Sequence, residues 1–521
     1  MVVSAHPLAS RVGMTILEQG GNAADAALAT MAALNVVEPQ ASGLGGGGFL
    51  LYYDAARDSF YVLDYRERAP ARLKLSDYFQ KPDTLHLVQR MGGEAIGTPG
   101  APAGWQALHD RFGTKLLSEI FAPAILLADS GYPVSEKQAA VILDDLEQLQ
   151  SDSMLARTFL VDSLPPTAGY ILRQPKLAAL MKFLSRTRLD NLYYPPTSNG
   201  LLHTLASRGS MIRQDDLLGY RVKDRKPVRG YYHGYEIITL PPPSSGGTAL
   251  LEILKLVEPY DLKSMGYMSP EYVHTVALAT RQAFTDVDHW VSDPDFDKVP
   301  SDAILSDEWI TAARTHLVAD SVPSRMTALD SALAFKNGNT THLVVVDSAG
   351  NVVSLTQSIN YFFGAGVMVP ELGLLLNNHM ADFTFDSTGA DALAPLHRPR
   401  SNMAATIVRK DGRPILVIGS PGGQRIPAVL AQVLIDILDF QMPLADALNA
   451  PRFCPVRQML VVETRISEST LNALHAKGWK IQPFGSANSY FGGVHAIQID
   501  ASSGNLVGAA DPRRDGAPAG Y

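Results

Sequence analysis

Asn339-Thr340-Thr341-His342-Leu343-Val344-Val345-Val346-Asp347 is a strongly β-type stretch in the second half of the chain. Its β-branched and apolar residues predict a strand from Thr340, because branched side chains fit a pleated, half-buried surface. Ser348-Ala349-Gly350-Asn351 is turn chemistry, and Val352 to Thr356 returns as the paired strand. Immediately upstream, Val318 to Asn339 is polar, poorly patterned and reads as mobile. A loose segment therefore runs straight into a hairpin.

Outward from that hairpin, Ala404 to Val408 and Pro414 to Ile418 form a second one around Lys410-Asp411-Gly412, with a helix from about Arg425 to Leu438. On the other side, Glu236 to Leu240 is a strand, and Pro241-Pro242-Pro243-Ser244-Ser245-Gly246-Gly247 turns rigidly into the helix Thr248 to Val257. Near the start, Val2 to Ser4 reads as a short strand. Leu8, Val12, Met14, Ile16 and Leu17 follow at mostly helical spacing. Gly20-Gly21-Asn22 stops that helix and Ala23 to Val37 makes another. Phe49 to Tyr53 and Phe60 to Tyr65 are a further strand pair, while Gly104 to Leu149 and Lys176 to Leu184 are mainly helical. This segregation indicates layers, with sheets inside and helices outside.

The 521 residues can bury one large core or two to three ordinary ones. A formal net charge of −8 excludes a nucleic-acid partner, since no basic surplus exists to neutralise phosphates. The basic run from Lys223 to Arg229 reads as a solvated loop. Cys454 is the only cysteine, so neither an intrachain disulfide nor a cysteine metal site is available, and it reads as a small buried residue. No apolar run reaches the roughly 18 residues of a membrane span. The first residues lack a basic and then apolar leader pattern, which leaves a cytoplasmic chain or one whose leader was removed.

Four motifs tempt and fail. Gly43-Leu44-Gly45-Gly46-Gly47-Gly48 fits G-x-G-x-x-G, but a helix precedes it and a strand follows, the reverse of a dinucleotide site. The glycines read instead as close backbone approach or positive-φ turns. Gly419-Ser420-Pro421-Gly422-Gly423 has proline where a serine-hydrolase elbow needs serine. Asp286, Asp288, Asp293, Asp295 and Asp297 lack the glycine and closing glutamate of a calcium loop, and read as a solvated turn. No H-E-x-x-H occurs among the 13 histidines, so a zinc hydrolase has no support.

The stretch from Asn339 to Asp347 resembles the small-subunit start of γ-glutamyltranspeptidases, and the resemblance runs nearly end to end. It includes Gly20 to Ala27, Gly43 to Phe49, Arg66-Glu67-Arg68-Ala69-Pro70 and Gly97-Thr98-Pro99-Gly100. It continues through Pro241 to Gly247, Asp293-Pro294-Asp295-Phe296, Leu376-Asn377-Asn378-His379-Met380, Gly419 to Arg425 and the terminal Asp511-Pro512-Arg513…Gly520-Tyr521. It implies an α+β fold, the four-layer αββα sandwich of N-terminal nucleophile hydrolases. It also implies a precursor cut between Asn339 and Thr340 into a large subunit, 1–339, and a small one, 340–521, intertwined in one core.

A threonine hydroxyl is a weak nucleophile until a base takes its proton. Cutting before Thr340 would free an α-amine on that residue, with a pKa of about 8, to serve as the base. By resemblance, Arg66 and Ser401 would hold the α-carboxylate of a γ-glutamyl group. Asp382 and Asn360 would hold its α-ammonium, and Ser358 would assist the nucleophile from a position where the family has threonine. The N–H groups of Gly422 and Gly423 would form the oxyanion hole.

The implied substrates are γ-glutamyl amides such as glutathione, with water or an acceptor amine taking the acyl group and no cofactor needed. The implied compartment is periplasmic or secreted. Two departures fall in the acyl pocket: Asn402 replaces a second serine, and His379 stands where the family usually has Gln, Glu or Asn. Both also fit acylases of the related cephalosporin type, whose glutaryl substrates lack the α-ammonium. An unprocessed relative that only binds amino acids or peptides is a third reading. The segment from Asp382 to Ser401 is short, with Phe383 and Phe385 its only rings, which implies an open site without a lid.

Overall fold

The hairpin around Ser348–Asn351 lies at the centre of a seven-stranded antiparallel sheet. In the computed structural model, which describes residues 1–74, 78, 90–317, 338–385 and 389–520, the strands are β1 (Val2–Ser4), β2 (Gly47–Asp54), β3 (Ser59–Asp64), β4 (Lys223–Arg225), β5 (Gly338–Val346), β6 (Val352–Tyr361) and β7 (Ala517–Ala519). Their order is β7-β1-β5-β6-β2-β3-β4. Residues 318–337, expected to be mobile, lie outside the described residues. Asn339, placed with them in the sequence reading, is instead part of β5, which starts two residues earlier than expected.

The β5–β6 ladder is regular from Val352↔Val346 to Gln357↔Thr341, then resumes at Asn360↔Asn339. Ser358 and Ile359 together oppose Thr340, which is a β-bulge: two residues face one, and the bulged strand bends. Asn360 closes the bulge at φ 77°, a left-handed conformation that asparagine tolerates better than most residues.

The glycine run before β2 makes this bulge possible. A Cβ on Gly46 would lie 2.1 Å from the Ser358 carbonyl oxygen, and one on Gly47 would lie 2.7 Å from Glu67 Oε2. The run serves close approach, as expected.

Behind the sheet, Ala23–Val37 is buried at every one of its 15 residues, which the small alanine side chains allow. Asn22 and Asp25 form a reciprocal capping box, with Asp25 N–H donating to Asn22 Oδ1 at 3.0 Å and Asn22 N–H to Asp25 Oδ2 at 3.1 Å. Asp25 also accepts from Thr114 N–H at 2.9 Å. The Gly-Gly-Asn-Ala-Ala-Asp motif is thus a helix stop followed by a helix start.

The chain divides into two compact units. The first takes Met1–Lys226, Gly338–Pro399 and Asp515–Tyr521, and contains the sheet just described. The second takes Pro227–Asn337 and Arg400–Arg514. Its six-stranded antiparallel sheet runs in the order Leu506–Ala510, His495–Ile499, Arg413–Gly419, Thr406–Lys410, Tyr235–Thr239, Val228–Tyr232. Helices Gly246–Val257, Pro270–Trp290 and Ile426–Leu438 share a core with that sheet through Leu250, Val276, Val429, Ile237 and Ile418. The terminal Asp511-Pro512-Arg513 is held within this unit by Arg513, which pairs with Glu463 at 2.7 Å and Asp511 at 3.0 Å.

Two readings are corrected. Asp286 sits inside the Pro270–Trp290 helix, accepts from Trp309 Nε1 at 2.9 Å, and is buried like Asp293. The acidic cluster is therefore only partly a solvated turn; the helix was hidden by its many polar residues. The basic run from Lys223 contributes an edge strand, β4, whose Arg225 pairs with buried Asp64 at 3.0 Å. Among the described residues no helix is long and apolar enough to cross a membrane.

Because a Cβ on Gly46 meets main chain rather than a movable side chain, Gly46→Ala should destabilise the fold by about 1–3 kcal/mol. A calorimetric melting temperature equal to that of the unaltered protein would contradict this packing.

Candidate active site

The bulge turns the sequence candidates of the first unit into one hydrogen-bonded chain. Thr340, 4% exposed, donates its hydroxyl to Ser358 Oγ at 3.4 Å. Ser358 in turn donates to the carbonyl oxygen of Asn339 at 2.6 Å and accepts from Asn360 N–H at 2.7 Å. A hydroxyl has one proton and two lone pairs, so Ser358 is fully used. Asn360 continues the chain, its Nδ2 donating to Asp382 Oδ1 at 2.8 Å. Asp382 is paired with the Arg66 guanidinium.

Arg66 and Asp382, expected to grip opposite charges of a substrate, thus grip each other. Arg66 is almost fully buried and also donates through Nε to the Pro399 carbonyl at 3.1 Å. Its backbone N–H donates to Asp64 Oδ1 at 3.0 Å. Asp382 keeps a side chain 28% exposed, so the pair has an open side.

One residue absent from the sequence candidates belongs here. Glu67 is fully buried, with Oε1 2.8 Å from His379 Nδ1 and Oε2 3.6 Å from the Arg66 guanidinium. His379 is itself 1% exposed. Asn377 fixes its backbone: Oδ1 accepts from the N–H groups of His379 and Gly97, at 3.1 and 3.0 Å, while Nδ2 donates to the carbonyls of Gly45 and Gly97. A carboxylate next to an expected ligand in Arg66-Glu67-Arg68 was the signal available. It was missed because an exposed surface position fits the same tripeptide.

Burial pushes the Glu67 carboxyl up to about 8, with Arg66 opposing. Burial, then the Arg66 charge, hold His379 well below the usual imidazole range, against the attraction of Asp382.

Phe383 is buried in a small cluster with Ala69, Leu73, Tyr78, Met380 and Leu393, and Phe385 packs against that cluster.

The remaining candidates belong to the second unit. Ser401 accepts from Met403 N–H at 3.2 Å. The Pro-Pro-Pro-Ser-Ser-Gly-Gly turn clamps its segment: Ser245 N–H donates to the Ser401 carbonyl at 2.7 Å, and Ser245 Oγ to Asn402 Oδ1 at 3.0 Å. Gly422 and Gly423 take φ 137° and 57°, which L side chains rarely adopt, and lead through a single 3₁₀ turn into the helix Ile426–Leu438. A Cβ on Gly422 would lie 3.1 Å from the Gly492 backbone. Cys454 is buried, and desolvation pushes its thiol up to about 12, so it is no nucleophile.

The family described as Gamma-glutamyltranspeptidase matches residues 9–521, and the chain belongs to that family. The Acylase ACY 1 proenzyme of Pseudomonas sp. (strain SE83) is 37% identical over 525 residues, spanning 99% of this chain and 93% of the relative. The glutathione hydrolase proenzyme of Bacillus subtilis (strain 168) is 34% identical over 538 residues, spanning 100% and 91%. Among solved structures, a cephalosporin acylase from Bacillus halodurans matches with a TM-score of 0.91 at 28% identity, over 100% of this chain and 95% of that one. The fold is the expected α+β class, the αββα sandwich of N-terminal nucleophile hydrolases.

The Glu67–His379 pair has a sign-definite effect on stability. Unfolded, Glu67 loses its proton near 4.5 and His379 near 6.5. Folded, Glu67 keeps a proton to about 8 while His379 binds none of its own. From 4.5 to 6.5 both states hold one proton and the pair contributes no slope. From 6.5 to 8 only the folded state holds it, so stability falls as pH rises, by up to about 1.4 kcal/mol per unit. The melting temperature should therefore drop across that window, and drop less in the double variant Glu67→Gln/His379→Gln. Equal drops in both proteins would mean that Glu67 does not keep its proton to about 8 in the fold.

Proposed function

We propose that the chain is a precursor that cuts itself between Asn339 and Thr340 and then acts as an amidase with Thr340 as nucleophile. The observation that carries this is the run Thr340–Ser358–Asn339 at the bulge. The attacking hydroxyl and the carbonyl of the bond to be cut are both hydrogen-bonded to one serine. In the cut, Thr340 Oγ adds to the Asn339 carbonyl carbon as Ser358 polarises the carbonyl oxygen. The C–N bond breaks, the proton lost by Oγ goes to the departing nitrogen, and water hydrolyses the ester between Asn339 and Thr340 Oγ. The product amine stays on Thr340.

In turnover that α-amine takes the Oγ proton, with a pKa of about 8 matched to neutral pH. Thr340 Oγ then attacks the amide carbonyl of the substrate, the amine leaves with the proton, and water or an acceptor amine releases the acyl group. Gly422 and Gly423 are proposed as oxyanion donors on the family resemblance and on their positive-φ backbone, which suits N–H groups facing a ligand. Ser401, Asn402, Arg66, Asn360, His379 and Asp382 are proposed to bind the acyl head.

Two acyl groups suit this reading: γ-glutamyl, favoured by Arg66 with Asp382, and glutaryl, which lacks the α-ammonium. One observation favours the second. Leaving Asp382 without an ammonium would be costly if it had no other partner, but Arg66 and Asn360 already satisfy it.

Intact mass of the purified protein should give two fragments, starting at Met1 and Thr340, and one uncut chain in Thr340→Ala. Ser358→Ala should slow the cut by about 100-fold, and Ser358→Thr should restore most of the rate. A wild-type chain that stays whole for days would leave a binding protein and remove the enzyme.

A further inference from the structure

Gly419-Ser420-Pro421-Gly422-Gly423 fails as a nucleophile elbow, yet its serine is bonded on both sides. Ser420 is wholly buried, between the end of the strand Arg413–Gly419 and the turn that carries Gly422 and Gly423. Its hydroxyl donates to the Pro421 carbonyl oxygen at 2.6 Å and accepts from Gly493 N–H at 3.2 Å. The one hydroxyl proton is therefore spent on the neighbouring carbonyl, and Oγ is tied to a second segment of the chain.

That second segment, Tyr490 to Val494, is held at several points within the same unit. The Arg452 guanidinium donates to the Phe491 carbonyl at 2.9 Å and pairs with Asp511 at 2.6 Å, both side chains buried. Asp511 accepts from Val494 N–H at 3.2 Å. Arg425 Nε donates to the Tyr490 carbonyl, and its guanidinium lies 4.1 Å from the Tyr490 ring centroid. Gly492 closes over the turn: a Cβ there would lie 2.6 Å from Ser420 Oγ and nearer still to the Pro421 oxygen. Ser420 is thus anchored to a fixed point.

The peptide plane turns this anchor into a direction. In a planar trans peptide the C=O and the N–H across the same C–N bond point opposite ways. Holding the Pro421 carbonyl toward Ser420 therefore points the Gly422 N–H away from it, and any rotation of the carbonyl swings that N–H by the same angle. Among the described residues nothing accepts from the N–H of Gly422 or Gly423, although Gly422 is buried and Gly423 partly so. Buried N–H groups are ordinarily paired, so an aimed and unspent donor suits an acceptor that arrives with a ligand.

We infer that Ser420 is the positioning residue of the oxyanion hole: by holding the Pro421 carbonyl, it aims the Gly422 N–H at the oxygen that becomes negative when Thr340 attacks an acyl carbonyl. The inference rests on the reading of Gly422 and Gly423 as oxyanion donors, and adds what sets their direction. A peptide donor is worth most when it needs no reorientation as charge develops. The bond from Ser420 also polarises the peptide and strengthens its N–H as a donor. The self-cut does not use this donor, because its carbonyl oxygen is bonded to Ser358. The two steps can therefore be separated.

The experiment compares wild type, Ser420→Ala and Ser420→Thr by intact mass, melting temperature, and kcat and KM on γ-glutamyl and glutaryl p-nitroanilides. Ser420→Ala should cut itself, then lose kcat and kcat/KM together by about 10- to 100-fold with KM within about twofold, the pattern of an interaction made only in the transition state. Ser420→Thr, which keeps the hydroxyl, should regain most of that loss. A boronic acid analogue of the acyl chain becomes a tetrahedral anion on a nucleophilic hydroxyl. Its inhibition should weaken by the same factor in Ser420→Ala, while binding of the free acid product stays unchanged.

A Ser420→Ala protein that cuts itself and turns over like wild type would overturn the inference and leave the amidase standing. So would a loss that Ser420→Thr does not recover and that weakens boronate and product alike, since Ser420 would then only support the fold. A wild type that stays uncut and inactive on both anilides would remove the amidase, and the inference with it.

Discussion

The antiparallel pairing of Gly338–Val346 with Val352–Tyr361 is the constraint on which the site depends. Side chains alternate across a strand, so a regular ladder would give Thr340 one opposing residue on a fixed face. The bulge breaks that rule at one place. It sets Ser358 and Ile359 against Thr340, lets Ser358 reach the Asn339 carbonyl, and turns Asn360 into a left-handed conformation from which its amide meets Asp382. Local strain at a bulge is tolerable only where the surroundings over-determine it. Here the glycine run before Gly47–Asp54 does so, lying so close to the Ser358 carbonyl that no side chain fits.

The second constraint is electrical. Arg66, Glu67 and His379 are nearly or wholly out of water, a costly arrangement unless every charge has a partner. Arg66 is shared between Asp382, Glu67 and the Pro399 carbonyl. Burial favours the neutral form of both Glu67 and His379, so neither adds a separate buried charge. Such a network does little for stability compared with an apolar core of equal volume.

Much of this was legible in the sequence, for reasons that differ by element. The hairpin was legible because Val344, Val345 and Val346 and a Ser-Ala-Gly-Asn turn leave little alternative. The Asn22 start of the alanine-rich helix was legible because capping is local chemistry. The early start of the strand at Gly338 was not, since glycine and asparagine are poor strand formers and only pairing with Tyr361 and Asn360 puts them there. The 21-residue helix Pro270–Trp290 was hidden by its buried polar residues, among them Arg281, Gln282 and Asp286, the last accepting from Gln282 one turn back and from Trp309 outside the helix. Candidate residues were named one at a time. Their linkage into one hydrogen-bonded chain depends on the bulge, and its last link, between Arg66 and Asp382, joins residues more than 300 apart in sequence.

A glutamine at position 379 would offer a donor and an acceptor at every pH, so it would need no proton to be managed. Histidine offers one role at a time, and its partner decides which. Placing it in a buried setting beside Arg66 makes its protonation depend on residues from distant parts of the chain. The family resemblance reads His379 as a departure, since a neutral ring can accept one hydrogen bond but a charged one would repel an ammonium. Burial and then the Arg66 charge hold the ring neutral, which removes that repulsion.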